Sequence, residues 1–192
     1  MKLKRDFYTR ANVVRIAKEL LGKVLFTKMN GKITAGIITE TEAYAGVTDR
    51  ASHAYNHRRT ARTEVMYAVG GTAYVYLCYG MHHLFNVVTN EKNIPHAVLI
   101  RSIQPYEGTD IIFKRRGLIS GGKSSICNGP GTVSQGLGIK TSYTQTDLLG
   151  KTIWIEDRGI KILKNNITKS PRIGVSYAGA DALLPYRFTV KL

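Results

Sequence analysis

The sequence has few cysteines, few acidic residues and no long apolar run. Its two cysteines, Cys78 and Cys127, lie far apart and form no CxxC pair, which argues against a zinc cluster and favours reduced thiols inside a cell. No segment approaches the ~18 continuous apolar residues that a membrane span needs. The N-terminal MKLKRDFYTR also lacks the apolar run of a signal peptide. A metal cluster, a membrane span and secretion are therefore not expected.

The shortage of acidic residues leaves a large positive charge. The 192 residues contain 28 Lys and Arg against 13 Asp and Glu, so the formal net charge is +15. Such a surplus indicates a polyanionic partner, either nucleic acid or an anionic membrane surface. The basic residues are spread along loops and form no amphipathic basic helix, which favours nucleic acid. The length predicts one domain over residues 1–192.

Hydrophobic periodicity predicts a mixed α+β domain. The apolar stripe of residues 9–21 predicts a helix that begins at Thr9 and ends before Gly22. Asn30-Gly31 predicts a tight hairpin between two strands. Further strands are predicted near 72–79, 84–90, 96–104, 152–156 and 172–177, with a helix over 107–116, a polar loop over 45–63 and Gly-rich loops over 117–138. The sheet is expected to be mostly antiparallel.

Two stretches contain the candidate catalytic and base-binding residues. In KITAGIITETEAY, alternation is expected to place Ile38, Glu40, Glu42 and Tyr44 on one face. In YVYLCYGMHHLFN, the residues Tyr74, Tyr76 and Tyr79 surround a Tyr-Gly turn. A carboxylate beside clustered aromatic rings can hold a flat base and activate a water next to it. A single Tyr on a strand is more often packing, and a single Glu is more often a solvated edge.

Arg101 lies in an apolar row with Ala97, Leu99 and Ile103, and a buried Arg needs a partner. Either Glu42 or Glu40 is a candidate.

A phosphate-binding motif is present but lacks its context. Residues 117–124 read GLISGGKS, which fits the pattern GxxxxGK[ST]. That pattern cradles phosphates only between a buried strand and a helix. Here the preceding TDIIFKRR is charged and helix-like, and Gly-Pro-Gly follows closely. We interpret the segment as a basic loop and not as a nucleotide-hydrolase site.

Several motifs together resemble one known family. They are ETEAY with His53 after it, YVYxxYGM with an Asn five residues later, the LIR of VLIRSIQPYEG, NGPG…QGLGI and the terminal RIGVSYAGADALLPYRF. In this order they resemble the alkyladenine (3-methyladenine) DNA glycosylases of the AAG/MPG family. The resemblance runs from Leu20 to Phe188. It implies a single α+β domain with a curved, mostly antiparallel sheet, peripheral helices and a projecting β-hairpin.

The resemblance also implies roles for individual residues. The substrate would be duplex DNA with alkylated or deaminated purines, hydrolysed by a monofunctional enzyme that uses water as the nucleophile. Glu42 would be the general base, and Arg101 would keep its carboxylate ionised by lowering its pKa. The other implied residues are Tyr44, His53, Tyr76 and Asn86 in the base pocket, Tyr79 and Met81 at the intercalating wedge, and Thr60, Arg62 and Lys123 at the DNA backbone.

A non-catalytic nucleic-acid-binding module remains the alternative. It would explain the charge and the tyrosines as a stacking platform. It gives no reason for Glu42 and Arg101 within that platform. We expect no cofactor, no metal and no membrane partner, and a monomer. The protein is expected at the nucleoid in the cytoplasm of a prokaryote, or in the nucleus of a eukaryote.

Overall fold

The computed structural model describes residues 1–118 and 126–192. Its helices are α1 (Arg5–Tyr8), α2 (Val13–Leu20), α3 (Thr109–Arg115) and α4 (Pro130–Leu137), and its strands are β1 (Val24–Met29), β2 (Lys32–Tyr44), β3 (Ala73–Cys78), β4 (His82–Thr89), β5 (His96–Glu107), β6 (Ile153–Glu156), β7 (Thr168–Ser170) and β8 (Arg187–Thr189). Short 3₁₀ turns occupy parts of the loop between β2 and β3. Among the described residues, no helix is long and apolar enough to cross a membrane.

Helix α2 has the amphipathic pattern that the sequence predicts. Val13, Ile16, Ala17 and Leu20 are buried against the sheet. The helix begins later than expected, because the side chain of Asn12, and not that of Thr9, accepts the Arg15 N–H as the N-cap. The preceding residues form the separate helix α1.

The sheet is antiparallel throughout and centres on β2. Its strand order is β3-β4-β5-β2-β1-β6. The first half of β2 pairs with β1 through a hairpin at Asn30-Gly31, as predicted, and both turn residues have positive φ. Beyond β1, the same edge of β2 pairs with β8 at Glu40, Thr41 and Glu42, and β8 also pairs with β7. The strand that carries Glu42 is thus hydrogen-bonded on both edges.

The expected face of β2 is correct for Glu40, Glu42 and Tyr44 but wrong for Ile38. The pairing of β2 with β5 shifts register on both sides of Glu40. A β-bulge moves the following side chains to the other face of a strand. Ile38 therefore packs in the main core with Ala43, while Glu42 faces the opposite side. Ile103 likewise joins that core and does not share the face of Arg101.

Two apolar layers cover the two faces of the sheet. The main core lies between the sheet and helices α2, α3 and α4. A smaller cluster packs Met66, Tyr67, Tyr74 and Ala97 beneath the loop that follows β2. The fold class is therefore the expected α+β domain with a curved antiparallel sheet and a projecting hairpin, β3–β4.

Two local predictions are wrong. Residues 172–177 are not a strand; Gly174 has a φ of +75° and a 3₁₀ turn begins at Ser176. The strands near the C-terminus are instead β7 and β8. Within the Gly-rich stretch 117–138, residues Pro130–Leu137 form helix α4, with Pro130 at its first turn and Gly138 as a left-handed C-cap.

Candidate active site

A cleft of about 500 Å³ opens beside the β3–β4 hairpin. It is bounded by that hairpin, by the loop after β2 and by the chain after β7. Its lining includes Tyr44, His53, Tyr76, Asn86, Arg101 and Tyr177. The volume is within the range of small-molecule pockets. The fold therefore brings together all four residues expected in the base pocket.

Glu42 lies behind the wall of this cleft and is 0% exposed. Its Oε2 accepts a hydrogen bond from the Tyr44 hydroxyl at 2.8 Å. Its Oε1 accepts the backbone N–H of Ile173 at 2.8 Å. The Arg101 guanidinium is farther away, with Nε 3.4 Å from Oε1 and Nη1 3.5 Å from Oε2. The carboxylate is thus held by two short hydrogen bonds and two longer contacts.

The pKa of Glu42 is raised, and burial is the main cause. Arg101, the Ile173 N–H and the Tyr44 hydroxyl each lower it, while the nearby Glu40 raises it. Arg101 thus lowers the pKa of Glu42, as expected, but removing the carboxylate from water outweighs the guanidinium, so the net shift is upward.

Arg101 pairs with both candidate carboxylates. Its Nε is 2.9 Å from Oε1 of Glu40, which is closer than its contact with Glu42. Glu40 also pairs with Arg187 of β8 at 2.6 Å. Glu40 therefore forms ion pairs with two arginines, whereas the shortest contacts of Glu42 are with uncharged donors.

Aromatic rings form the walls of the cleft. The rings of Tyr74 and Tyr76 lie 5.3 Å apart, and the His53 ring meets the Tyr76 ring edge-on at 4.8 Å. Tyr44 contributes a fourth ring and links the cleft to Glu42 through its hydroxyl. Flat walls with electron-rich faces can bind a planar base by stacking.

His53 is neutral, and its tautomer follows from its neighbours. Burial, followed by Arg62 and Arg58, lowers the pKa of His53 to about 4. Arg62 Nη2 lies 3.3 Å from His53 Nε2, and a guanidinium can only donate. The Nε2 atom is therefore the acceptor, so the proton is on Nδ1, which donates to the Tyr74 hydroxyl at 2.9 Å.

Asn86 lies on β4 and is almost fully buried at the edge of the cleft. Its amide nitrogen donates to the carbonyl oxygens of Tyr74 and Leu84. Both donors are thus directed to the backbone, and the side chain is fixed in place. A rigid polar group at this position can discriminate between bases by their exocyclic substituents.

The tip of the β3–β4 hairpin carries exposed apolar side chains. Tyr79 is 88% exposed and Met81 is 69% exposed. Tyr79 and Gly80 adopt positive φ values of 51° and 70°, which make the tight turn. The ring of Tyr79 also borders the cleft. An exposed ring on a narrow projection has the shape of a wedge that can enter a base stack.

A buried ion pair that the sequence does not reveal holds the cleft together. Arg172 and Asp49 are both buried, and Arg172 Nη2 donates to Asp49 Oδ1 at 2.8 Å. The same guanidinium donates to the carbonyl of Ala43 and stacks 4.9 Å from the Tyr44 ring centre. Arg172 directly precedes Ile173, whose N–H binds Glu42. The pair therefore joins three segments that surround the carboxylate.

The three residues expected at the DNA backbone differ in position. Thr60 bonds to Thr63 within the loop after β2. Arg62 lines the cleft. Lys123, with most of the GLISGGKS segment, lies outside the described residues. In the described ranges, no group of three or more His, Cys, Asp or Glu side chains could hold a metal ion.

Comparison with known families identifies the class of protein. The model of the family described as methylpurine-DNA glycosylase (MPG) matches residues 6–192. The chain belongs to this family of DNA repair glycosylases, and DNA is the substrate that the family implies.

Three relatives share the name "Putative 3-methyladenine DNA glycosylase". The protein of Chlamydia abortus is 48% identical over 190 residues, covering 99% of this chain and 98% of the relative. That of Chlamydia pneumoniae is 44% identical over 186 residues, covering 97% and 93%. That of Clostridium perfringens (strain 13 / Type A) is 41% identical over 198 residues, covering 100% and 96%. The similarity therefore extends over nearly the whole of each chain.

Proposed function

We propose that this protein removes damaged purines from duplex DNA by flipping them into the cleft and hydrolysing the N-glycosidic bond with a water that Glu42 activates. The observation that carries the proposal is the position of Glu42. Its buried carboxylate accepts a hydrogen bond from Tyr44, a residue that lines the cleft, and we propose that the sugar of a stacked base lies on this side of the cleft. A DNA-binding module needs no buried carboxylate there, since one would repel phosphates.

The cleft suits purines that carry an alkyl group. Such bases are electron-poor, and the rings of Tyr44, Tyr76 and His53 offer electron-rich surfaces for stacking. The neutral state of His53 avoids repulsion of a positively charged base.

We expect the attacking water to reach Glu42 at its weaker contacts. The two Arg101 contacts, at 3.4 and 3.5 Å, are long for hydrogen bonds. A water that donates a hydrogen bond to Glu42 in place of these contacts would lie between the carboxylate and the sugar. No lysine is among the residues of the described chain that line the cleft, which favours water over an amine as the nucleophile. The enzyme would therefore be monofunctional. We also propose that it acts as a monomer, at the nucleoid in a bacterial cell.

A base-release assay tests this proposal. We expect release of methylated purines from alkylated duplex DNA without added metal or ATP, and an intact abasic site as the product. Borohydride should trap no covalent adduct, because no amine attacks the sugar. Binding without release would support the non-catalytic module instead, and a trapped adduct would contradict hydrolysis by water.

The hairpin tip gives a separate prediction. Tyr79→Ala should leave the fold intact, because the side chain is 88% exposed, and should weaken base flipping. Fluorescence of ethenoadenine placed in a duplex measures flipping directly. Tyr106→Ala, which removes an exposed ring that does not line the cleft, is the control. Flipping by Tyr79→Ala at the wild-type level would show that this ring is not the wedge.

Asn86 gives a prediction about selectivity. The bulk of its fixed side chain is proposed to exclude the 2-amino group of guanine. Asn86→Ser should enlarge the cleft and raise the rate of excision of guanine-type lesions relative to adenine-type lesions. Because one steric contact is lost, we expect this ratio of rates to rise about tenfold. The measurement is a ratio of single-turnover rates on a lesion panel. An unchanged ratio in a folded variant would remove Asn86 from selection.

A further inference from the structure

The cleft of the unliganded protein contains one side chain that a bound base would displace. Arg62 extends from the loop after β2 into the cleft. Its guanidinium lies 5.0 Å from the centre of the Tyr76 ring and 3.3 Å from His53 Nε2. The ring and the imidazole that should hold a base are thus already in contact with a planar cation.

This contact imitates the ligand. A guanidinium is flat, delocalised and positively charged, and it stacks on aromatic faces. An alkylated purine shares these properties. Arg62 also uses the acceptor nitrogen of His53, the only ring nitrogen not already bonded to Tyr74. The arginine therefore occupies both the stacking surface and a hydrogen-bonding position.

The contact is weak enough to be reversible. Among the described residues, no carboxylate pairs with Arg62, whereas Arg59 of the same loop forms a two-point pair with Glu64. Arg62 is exposed, so its side chain can turn outward without breaking the core. Outside the cleft, phosphates of bound DNA would be its strongest available partners.

We propose that Arg62 is a displaceable plug: its guanidinium fills the base-binding position in the free protein and moves to a DNA phosphate when a damaged base enters. This proposal rests on the proposed function, since it takes the cleft to be the base pocket. While it occupies the cleft, the Arg62 side chain prevents adventitious ligands from stacking on the tyrosine rings. It also couples entry of the base to DNA contact, because the same charge that leaves the cleft strengthens binding to the backbone.

The test uses two ligands for which the proposal predicts different effects. The first is free ethenoadenine, a neutral fluorescent base with no phosphate. Arg62→Ala should bind it about 5- to 30-fold more tightly than wild type, because no plug must be displaced. The second is a duplex that contains ethenoadenine, with binding measured before the base is released. Arg62→Ala should bind this duplex with a log–log salt slope reduced by about 0.9 relative to wild type, because the phosphate contact that Arg62 makes once the base has entered is lost.

Arg58→Ala is the matched control. It removes the same charge from the same loop, but the Arg58 side chain does not line the cleft. Its affinity for ethenoadenine should equal that of wild type, which separates relief of the plug from relief of charge. If Arg62→Ala binds the free base no better than wild type, or if neither protein binds it, the cleft is not plugged. If the base binds more tightly but the salt slope is unchanged, the move to phosphate is wrong.

The outcomes are distinguishable from failure of the proposed function. Wild-type protein that releases no base from alkylated DNA overturns the glycosylase mechanism, whatever Arg62 does. Wild-type protein that releases base normally, with no change in base affinity on Arg62→Ala, overturns only the plug.

Discussion

Replacing Glu42 by Gln is expected to reduce the single-turnover rate of base excision by about 10²–10⁴, the usual effect of losing a general base. Binding of lesion-containing DNA should be retained or improved, because a negative charge near the phosphates is removed. The two effects must separate: excision falls while affinity does not.

The surrounding hydrogen bonds make Gln a close replacement. The amide oxygen can accept from the Ile173 N–H as Oε1 does now. The amide nitrogen can donate to the Tyr44 hydroxyl, which can reverse its role from donor to acceptor. The side chain keeps its shape but loses its negative charge and its ability to accept a proton.

Glu40→Gln is the comparison that locates the base. Glu40 is held between Arg101 and Arg187 on the same strand. A smaller loss of excision in this variant than in Glu42→Gln would support Glu42 as the base. Loss of both affinity and excision in Glu42→Gln would make Glu42 structural, and loss of excision only in Glu40→Gln would assign the base to Glu40.

The stability of the wild type relative to Glu42→Gln should depend on pH in a defined direction. Burial raises the pKa of Glu42 in the folded protein. Stability linked to such a group is present below the unfolded pKa of about 4.3 and is lost as the pH rises through the folded pKa. Wild type should therefore lose stability over this interval relative to Glu42→Gln, which does not titrate. Urea unfolding at several pH values measures the difference.

Breaking the buried pair of Arg172 and Asp49 is expected to have the largest effect on stability. Asp49→Asn keeps the volume but leaves the Arg172 guanidinium buried without a counter-charge. Such a change costs about 3–5 kcal/mol, a large part of the 5–15 kcal/mol by which a typical domain is stable. The free energy of unfolding from urea titration is the measurement.

An exposed pair in the neighbouring loop serves as the control for this experiment. Arg59 pairs with Glu64 in a bidentate arrangement at the surface. Glu64→Gln should leave the urea midpoint unchanged, because water screens the pair. Equal loss of stability from the two substitutions would mean that the buried pair contributes no more to stability than the exposed pair. The pair of Arg172 and Asp49 would then not be what stabilises the segments around the cleft.

The main elements of the fold could be predicted from local sequence. Asn30-Gly31 marks its hairpin because few other residue pairs accept two successive positive φ values. Helix α2 follows from its apolar stripe. Alternation correctly placed Glu42 and Tyr44 side by side, since that relation spans only two residues.

Other features depend on contacts between distant segments. The β-bulge near Glu40, which returns Ile38 to the core, arises from pairing with β5 and leaves no local signal. The ion pair of Asp49 with Arg172 joins positions 123 residues apart. The burial that raises the pKa of Glu42 likewise depends on packing, whereas the sequence indicates only the influence of Arg101. Strand β8 is three residues long, too short for alternation to show.

The position of β8 has a consequence for the synthesis of the protein. Glu40 meets Arg187, 147 positions later, and Glu42 meets Ile173, 131 positions later. A chain emerging from the ribosome presents most of its basic loops before either contact can form. Contacts of such long range also form late in folding. A nascent chain would therefore carry enough positive charge to bind DNA before its carboxylate site is assembled. Base excision could begin only after β8 has paired with β2.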